Sequence, residues 1–119
     1  MNANEATVYR VERDDGAGPY RTLTYENIHD DDYSETYRGG RRPSPWDDGL
    51  ERVQESDYFA FVSLCQLRYW FNERDRTLLA SHGFHIAVYR VATHLVRRGG
   101  CQCIFCKSQA TLERVEALA

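Results

Sequence analysis

Three of the four cysteines stand close together near the C-terminal end, at Cys101, Cys103 and Cys106. Thiolates at this spacing could hold zinc, or Cys103 and Cys106 could form a redox pair. A structural zinc site needs a second pair of ligands, but Cys65 is isolated and the four histidines are scattered. The sequence therefore predicts no metal site, and cysteines that pack as small apolar side chains.

The surrounding segment, CQCIFC at 101–106, has the apolar character of a buried strand. In a strand, Cys101 and Cys103 would face one side and Cys106 the other, so one metal ion could not collect all three. A redox motif of the thioredoxin type lies at a helix N-terminus, which this apolar segment does not favour. Gln102 is the polar interruption that needs an explanation.

Length and composition indicate one globular domain, spanning residues 1–119. The chain is 42% hydrophobic and has no apolar run near the roughly 18 residues that a membrane span needs. The N-terminus lacks the basic and apolar regions of a secretory signal, so we expect an intracellular protein. Residues 1–57 contain 14 acidic and 7 basic side chains, whereas 58–119 contain 4 and 8. This asymmetry predicts two faces of opposite potential, which could steer a partner.

The elements that must position these residues follow from periodicity and turn signals. Alternation and β-branched or aromatic content predict strands at 6–13, 57–62, 84–91 and 101–106. In the first, Tyr9 and Val11 should share one face, and Val8 and Arg10 the other. The strand at 57–62 is apolar on both faces and is expected to be interior.

The helices and connections complete the predicted order. Ser63 is a suitable N-cap for a helix at 64–71, and a second short helix, about 75–81, should end at Gly83. We expect an irregular segment at about 21–55, a turn-forming connection at 93–100, and a C-terminal segment that is either helix or strand. The predicted fold class is α+β: a single compact domain with a mainly antiparallel small sheet, two short helices and a long irregular N-terminal loop.

Several stretches resemble a group of small phage and prophage proteins of unassigned activity. They are VYRVE, YFAFVSLCQLRYWF, GFHIAVYRV and GGCQCIF, together with the residues Pro45–Leu50. The resemblance covers most of the chain. It implies a phage accessory protein that acts in the cytoplasm of a bacterial host.

The order of elements also resembles a minimal ADP-ribosyltransferase-like fold of the arginine–serine–glutamate branch. Arg10 in VYRV matches the arginine of the first core strand, and Ser63 matches the serine that opens a helix. Gln102 lies nearest the glutamate position. The resemblance implies an arginine that clamps the pyrophosphate of NAD, a serine beside free N–H groups, and a carboxylate that orients the ribose. Gln102 is neutral and could not supply that negative charge.

Three functions therefore stand as hypotheses, and the third of them is a zinc-stabilised structural or nucleic-acid-binding module. The first is a non-catalytic, anti-CRISPR-like inhibitor that binds and blocks a host or defence complex. It needs no cofactor, no direct nucleic-acid contact and no membrane. Its expected interface residues are of types that anchor protein interfaces: Tyr33, Tyr37, Arg41, Arg42 and Trp46. The alternative is an NAD-dependent mono-ADP-ribosyltransferase that modifies a protein partner through Arg10, Ser63 and Gln102.

Overall fold

A computed structural model describes residues 4–21, 23–29 and 42–119 of the chain. Within these ranges lie six strands and three α-helices. The strands are β1 (Glu5–Glu12), β2 (Asp57–Ala60), β3 (His85–Ala92), β4 (Val96–Arg98), β5 (Cys103–Cys106) and β6 (Thr111–Glu116). The helices are α1 (Tyr25–Ile28), α2 (Leu64–Trp70) and α3 (Glu73–Ser81). No helix in the described ranges is long and apolar enough to cross a membrane.

The strands form two antiparallel, three-stranded sheets. The first has the order β1-β3-β6 and the second β2-β5-β4. An isolated bridge between Tyr9 and Phe61 joins β1 to the end of β2, with N–O distances of 2.8 and 2.9 Å. The two sheets therefore meet along β1 and β2, and this junction positions the candidate site described below.

Strands β1 and β3 of the first sheet are covered on both faces, because successive side chains of each strand point to opposite faces and most of them are apolar. One face packs against the helices, where Leu67 and Leu79 contact a cluster that includes Val88. The other face packs against the second sheet, where Val8 and Phe105 belong to a common cluster. We call this second side the inter-sheet face. The predicted division of β1, with Val8 and Arg10 on the face opposite Val11, is confirmed.

Local sequence signals account for the helices. Ser63 is the N-cap of α2, and Asn72 with Asp75 forms a capping box at the start of α3. Gly83 follows α3 with a φ of +88°, a conformation that glycine adopts without a steric penalty. The predicted cap at Ser63 and the predicted end of the second helix are confirmed.

The α+β fold class, with antiparallel sheets and short helices, is confirmed; three local predictions need correction, and one alternative that was left open is resolved. The connection at 93–100 contains β4, and the segment expected to be irregular contains the single turn α1. The C-terminal segment, left open between helix and strand, forms β6. The strand expected to be interior exposes Tyr58 and Phe59, because β2 lies at the end of its sheet and lines an open cleft.

Candidate functional site

A cleft of about 630 Å³ opens where β1 and β2 meet residues 18–21, 23–25 and 42–45. This volume is typical of small-ligand sites. Much of its wall is aromatic: Tyr20, Tyr25, Tyr58, Phe59, Phe61, Trp70 and Phe71. Charged and amide side chains also line it: Arg10, Arg21, Arg42, Glu55, Asp57 and Gln102. Such a surface suits a ligand or a partner side chain that is aromatic or charged.

Arg10 lies on the inter-sheet face of β1 and is 8% exposed. Its Nε donates to Glu12 Oε1 at 2.9 Å, and its Nη1 donates to the Phe59 carbonyl oxygen at 2.9 Å. The guanidinium carbon lies 4.9 Å from the centre of the Tyr58 ring. Burial lowers the pKa of Arg10, and the Glu12 carboxylate opposes that effect. Arg10 therefore reaches the cleft with much of its charge compensated inside the protein.

Gln102 also lines the cleft and is buried immediately before β5. Its Nε2 donates to the Pro43 carbonyl oxygen at 3.2 Å, and its backbone N–H donates to Asp48 Oδ2 at 3.0 Å. The amide thus fixes the segment 42–45 against the second sheet. This contact explains the polar interruption in CQCIFC.

Asp48 fastens the stretch Pro45–Leu50 to the residues before β5. Its carboxylate accepts hydrogen bonds from the backbone N–H groups of Cys101 and Gln102. A Cβ at Gly99 would lie 2.7 Å from the Asp48 carbonyl oxygen, which real Cβ atoms essentially never do. The glycine pair at 99–100 therefore permits a close backbone approach to Asp48.

Ser63 does not line the cleft. Its hydroxyl oxygen accepts the N–H of Gln66 at 3.1 Å, as an N-cap does. The structure therefore brings Arg10 and Gln102 to one cleft and leaves Ser63 at the helix start. The catalytic roles of all three stay predictions.

The residues expected at an interface have different environments. Tyr33, Tyr37 and Arg41 lie outside the described residues. Trp46 is 70% exposed, as an interface anchor would need to be. Arg42 is buried instead: its Nε donates to the Tyr25 hydroxyl at 2.7 Å and its Nη1 to the Trp70 carbonyl oxygen at 2.9 Å. Those contacts hold the segment 42–45 on the core.

A buried ionic network beside the cleft was missed by the sequence analysis. Glu12 Oε1 accepts from Arg10 and from Lys107 Nζ at 3.1 Å, and Oε2 accepts from the Tyr89 hydroxyl at 2.8 Å. Burial and the hydrogen bond to Glu12 raise the pKa of Tyr89. Val8, Arg10 and Glu12 lie two residues apart in β1 and therefore share one face of the strand. Because Val8 predicts that this face is buried, the same spacing could have indicated a buried carboxylate at Glu12.

A second network behind the cleft was also missed. His29 Nδ1 lies 2.8 Å from Asp75 Oδ2, and its Nε2 lies 2.5 Å from the Tyr20 hydroxyl. Trp70 Nε1 donates to the same hydroxyl at 2.9 Å. Since a carboxylate only accepts, Nδ1 carries the proton, and in a neutral ring Nε2 accepts from Tyr20. Burial of the Tyr20 hydroxyl raises its pKa, although 44% of the residue is exposed. The protonated phenol therefore helps to hold residues 19–21 and 23–29 on the body.

The carboxylates that line the cleft limit the chemistry that the cleft could perform. Among the described residues, the carboxylates that line the cleft are Glu55, in the turn before β2, and Asp57, the first residue of β2. Asp57 Oδ2 already accepts the backbone N–H of Gln54 at 2.8 Å. No group of three or more His, Cys, Asp or Glu side chains in the described ranges could hold a metal ion.

The cysteines lie in separate environments, which corrects the expectation that Cys101 and Cys103 share one side of a strand. β5 begins at Cys103, and Cys101 precedes it in a bend. Cys103 is fully buried in the inter-sheet cluster, while Cys101 packs against the helix-side cluster. Burial raises the pKa of the Cys103 thiol to about 12, and burial and Asp48 raise the pKa of Cys101.

These environments predict the order of thiol alkylation in the native protein. With a pKa raised to about 12, the Cys103 thiol is almost entirely protonated at pH 8, and the thiolate is the form that reacts. We expect iodoacetamide at pH 8 to modify the exposed Cys65 first and to leave Cys103 intact, as read by peptide mass spectrometry. In urea all four should react. Modification of native Cys103 at the rate of Cys65 would contradict the buried placement.

Comparisons with known proteins place the chain among phage proteins. The family described as "Bacteriophage T4 Y00F protein" matches residues 1–119. The "Uncharacterized 19.7 kDa protein in motB-dexA intergenic region" of Enterobacteria phage T4 is 45% identical over 56 residues. That match covers 47% of this chain and 34% of the relative, so it spans about a third of the relative's length. No solved structure matches the chain significantly. The resemblance to small phage proteins is thereby confirmed, and the chain belongs to the bacteriophage T4 Y00F protein family.

Proposed function

We propose that this phage protein acts by binding and blocking a host or defence macromolecular complex, without catalysis, in the manner of an anti-CRISPR inhibitor. The observation that carries the proposal is a set of exposed aromatic side chains that line the cleft or directly follow a residue of its lining. Tyr20, Tyr58 and Phe59 line the cleft and are 37–44% exposed, and Trp46 follows the cleft-lining Pro45. We call these four residues the aromatic rim.

The composition of the aromatic rim supports a protein partner. Tyrosine and tryptophan are enriched among residues that dominate binding energies, because they bury a large area with few rotatable bonds. The cleft behind the rim has room for a side chain of the partner. Glu55 adds negative charge to the lining, which favours a basic group there, whereas the carboxylate of Asp57 already lies 3.7 Å from Arg97.

The internal contacts of the candidate catalytic residues support a non-catalytic mode. Arg10 is paired with Glu12, and Ser63 caps α2. Gln102 is neutral and holds Pro43 through its amide. A transferase of this kind would need a carboxylate to stabilise developing positive charge, and that stabilisation is usually a large part of the rate.

The proposal predicts that binding depends on the rim and not on exposed aromatic area in general. Trp46→Ala combined with Phe59→Ala should weaken capture of the partner from host lysate about 30-fold or more, as expected when hot-spot residues are lost. Tyr69→Ala is the matched control, because Tyr69 is 57% exposed on α2 and does not line the cleft. Arg42 is unsuitable for this test, since it is buried. Equal capture by wild type and the double variant would exclude the rim as the binding surface.

A specific observation favours the second candidate, an NAD-dependent mono-ADP-ribosyltransferase. Arg10 and Gln102 are far apart in sequence yet line one cleft, which is what the resemblance to that fold requires of its first and third positions. If NAD binds there, about 1 mM NAD should raise the melting temperature, because a ligand of the native state stabilises it. An unchanged melting temperature would count against this candidate and leave the binding proposal intact.

A further inference from the structure

The last strand, β6, leaves an open edge on the first sheet. It pairs with β3 on one side, and among the described residues no strand pairs with its other side. Residues 111–115 are exposed and Glu116 is half-buried. Such an edge presents backbone N–H and C=O groups that can accept another strand.

A bulge places two exposed apolar side chains of β6 on one face. Leu112 lies opposite Tyr89 and Val115 opposite Ala87, and those two β3 residues share a face because they are two apart. Residues three apart in a regular strand would point to opposite faces, so the extra residue Glu113 makes this possible. Leu112 and Val115 are 50% and 52% exposed.

The sequence of β6, TLERVE, is complementary to itself in antiparallel orientation. With a twofold axis between residues 113 and 114, Leu112 of one copy faces Val115 of the other. Glu113 then faces Arg114 of the second copy, and this pair occurs twice. Apolar pairs and opposite charges across antiparallel strands stabilise the pairing, while like charges destabilise it.

We propose that β6 docks against the β6 of a second copy of this chain, which joins the two first sheets into one continuous six-stranded sheet. The contact is isologous, as in most twofold dimers. Arg114 now contacts Glu116 on its own strand at 2.6 Å, with both side chains partly exposed. Breaking this partly exposed ion pair, so that Arg114 can pair with Glu113 of the second copy, therefore costs little free energy. Six residues a side bury less than about 1,200 Å², so we expect a weak, concentration-dependent dimer.

Charge reversal tests the pairing directly. In sedimentation experiments from about 10 µM to about 1 mM, the wild-type average mass should rise toward twice the monomer mass. Glu113→Arg and Arg114→Glu should each stay monomeric, because like charges then face each other twice. An equimolar mixture of these two variants should form a heterodimer, since every pair is again opposite in charge.

Two further measurements complete the test. The double variant, Glu113→Arg with Arg114→Glu, should dimerise like the wild type. Amide hydrogen exchange of wild-type β6 should slow as the protein concentration rises. This measurement uses only the wild-type protein, so it does not depend on whether a variant folds. The proposal is overturned if the wild type stays monomeric throughout the series. It is also overturned if a single variant dimerises like the wild type, or if the mixture stays monomeric.

Discussion

Replacing Glu12 by alanine should lower the free energy of unfolding by about 3–5 kcal/mol, because it leaves a buried charge without its partner. Its carboxylate accepts hydrogen bonds from Arg10, Lys107 and the Tyr89 hydroxyl. The side chains of Arg10 and Glu12 are 9% and 7% exposed, so water cannot replace the lost acceptor. Urea unfolding followed by circular dichroism measures the effect.

Two controls separate burial from charge in this experiment. Glu116→Ala removes an ion pair with Arg114 that is 33–49% exposed, and it should cost less than about 1 kcal/mol. Arg10→Met combined with Glu12→Leu removes both buried charges and should be milder than Glu12→Ala alone. A loss below about 1 kcal/mol for Glu12→Ala would show that the network does not stabilise the junction of the sheets.

Replacing Asp75 by alanine should lower the free energy of unfolding by about 2–4 kcal/mol, through a lost charged hydrogen bond and a lost cap. Asp75 is 1% exposed, and its Oδ2 lies 2.8 Å from His29 Nδ1 and 3.2 Å from the N–H of Asn72. The change should also loosen residues 19–21 and 23–29, so trypsin should cleave faster after the exposed Arg21.

The matched control lies in the same helical turn. Glu73 is exposed at the start of α3, and Glu73→Ala should change stability by no more than about 0.5 kcal/mol. It should also leave the cleavage rate after Arg21 unchanged. If Asp75→Ala unfolds like the wild type and is cleaved at the same rate, the bond between His29 and Asp75 does not hold residues 19–21 and 23–29 in place.

Sequence reasoning predicted the elements whose signals are local. β1 and β3 follow from alternation of β-branched and polar residues, the cap at Ser63 from side-chain chemistry, and the end of α3 from Gly83. β4 was missed because VRR has too few residues for a period, and it forms only because β5 offers an edge. Exposure of Tyr58 and Phe59 was missed because composition does not show which strand ends a sheet.

The cleft could be predicted only in part, because contacts between residues far apart in sequence form it. Arg10 and Gln102 were identified from a resemblance, and they do line one cleft. The hydrogen bond between His29 and Asp75 could not be predicted from local sequence, since the two residues are 46 positions apart. The contact between Asp48 and the 99–100 glycines is likewise tertiary, although the glycine pair itself marks a close approach.

The most direct test of the proposed binding function is capture of a partner from host lysate, with and without added NAD, followed by intact-mass measurement of what is captured. Non-catalytic blocking predicts a stoichiometric partner of unchanged mass under both conditions. It also predicts loss of that partner with the Trp46 and Phe59 double variant, and retention with Tyr69→Ala. A partner that gains one ADP-ribose unit only when NAD is present would contradict the account and establish the transferase alternative.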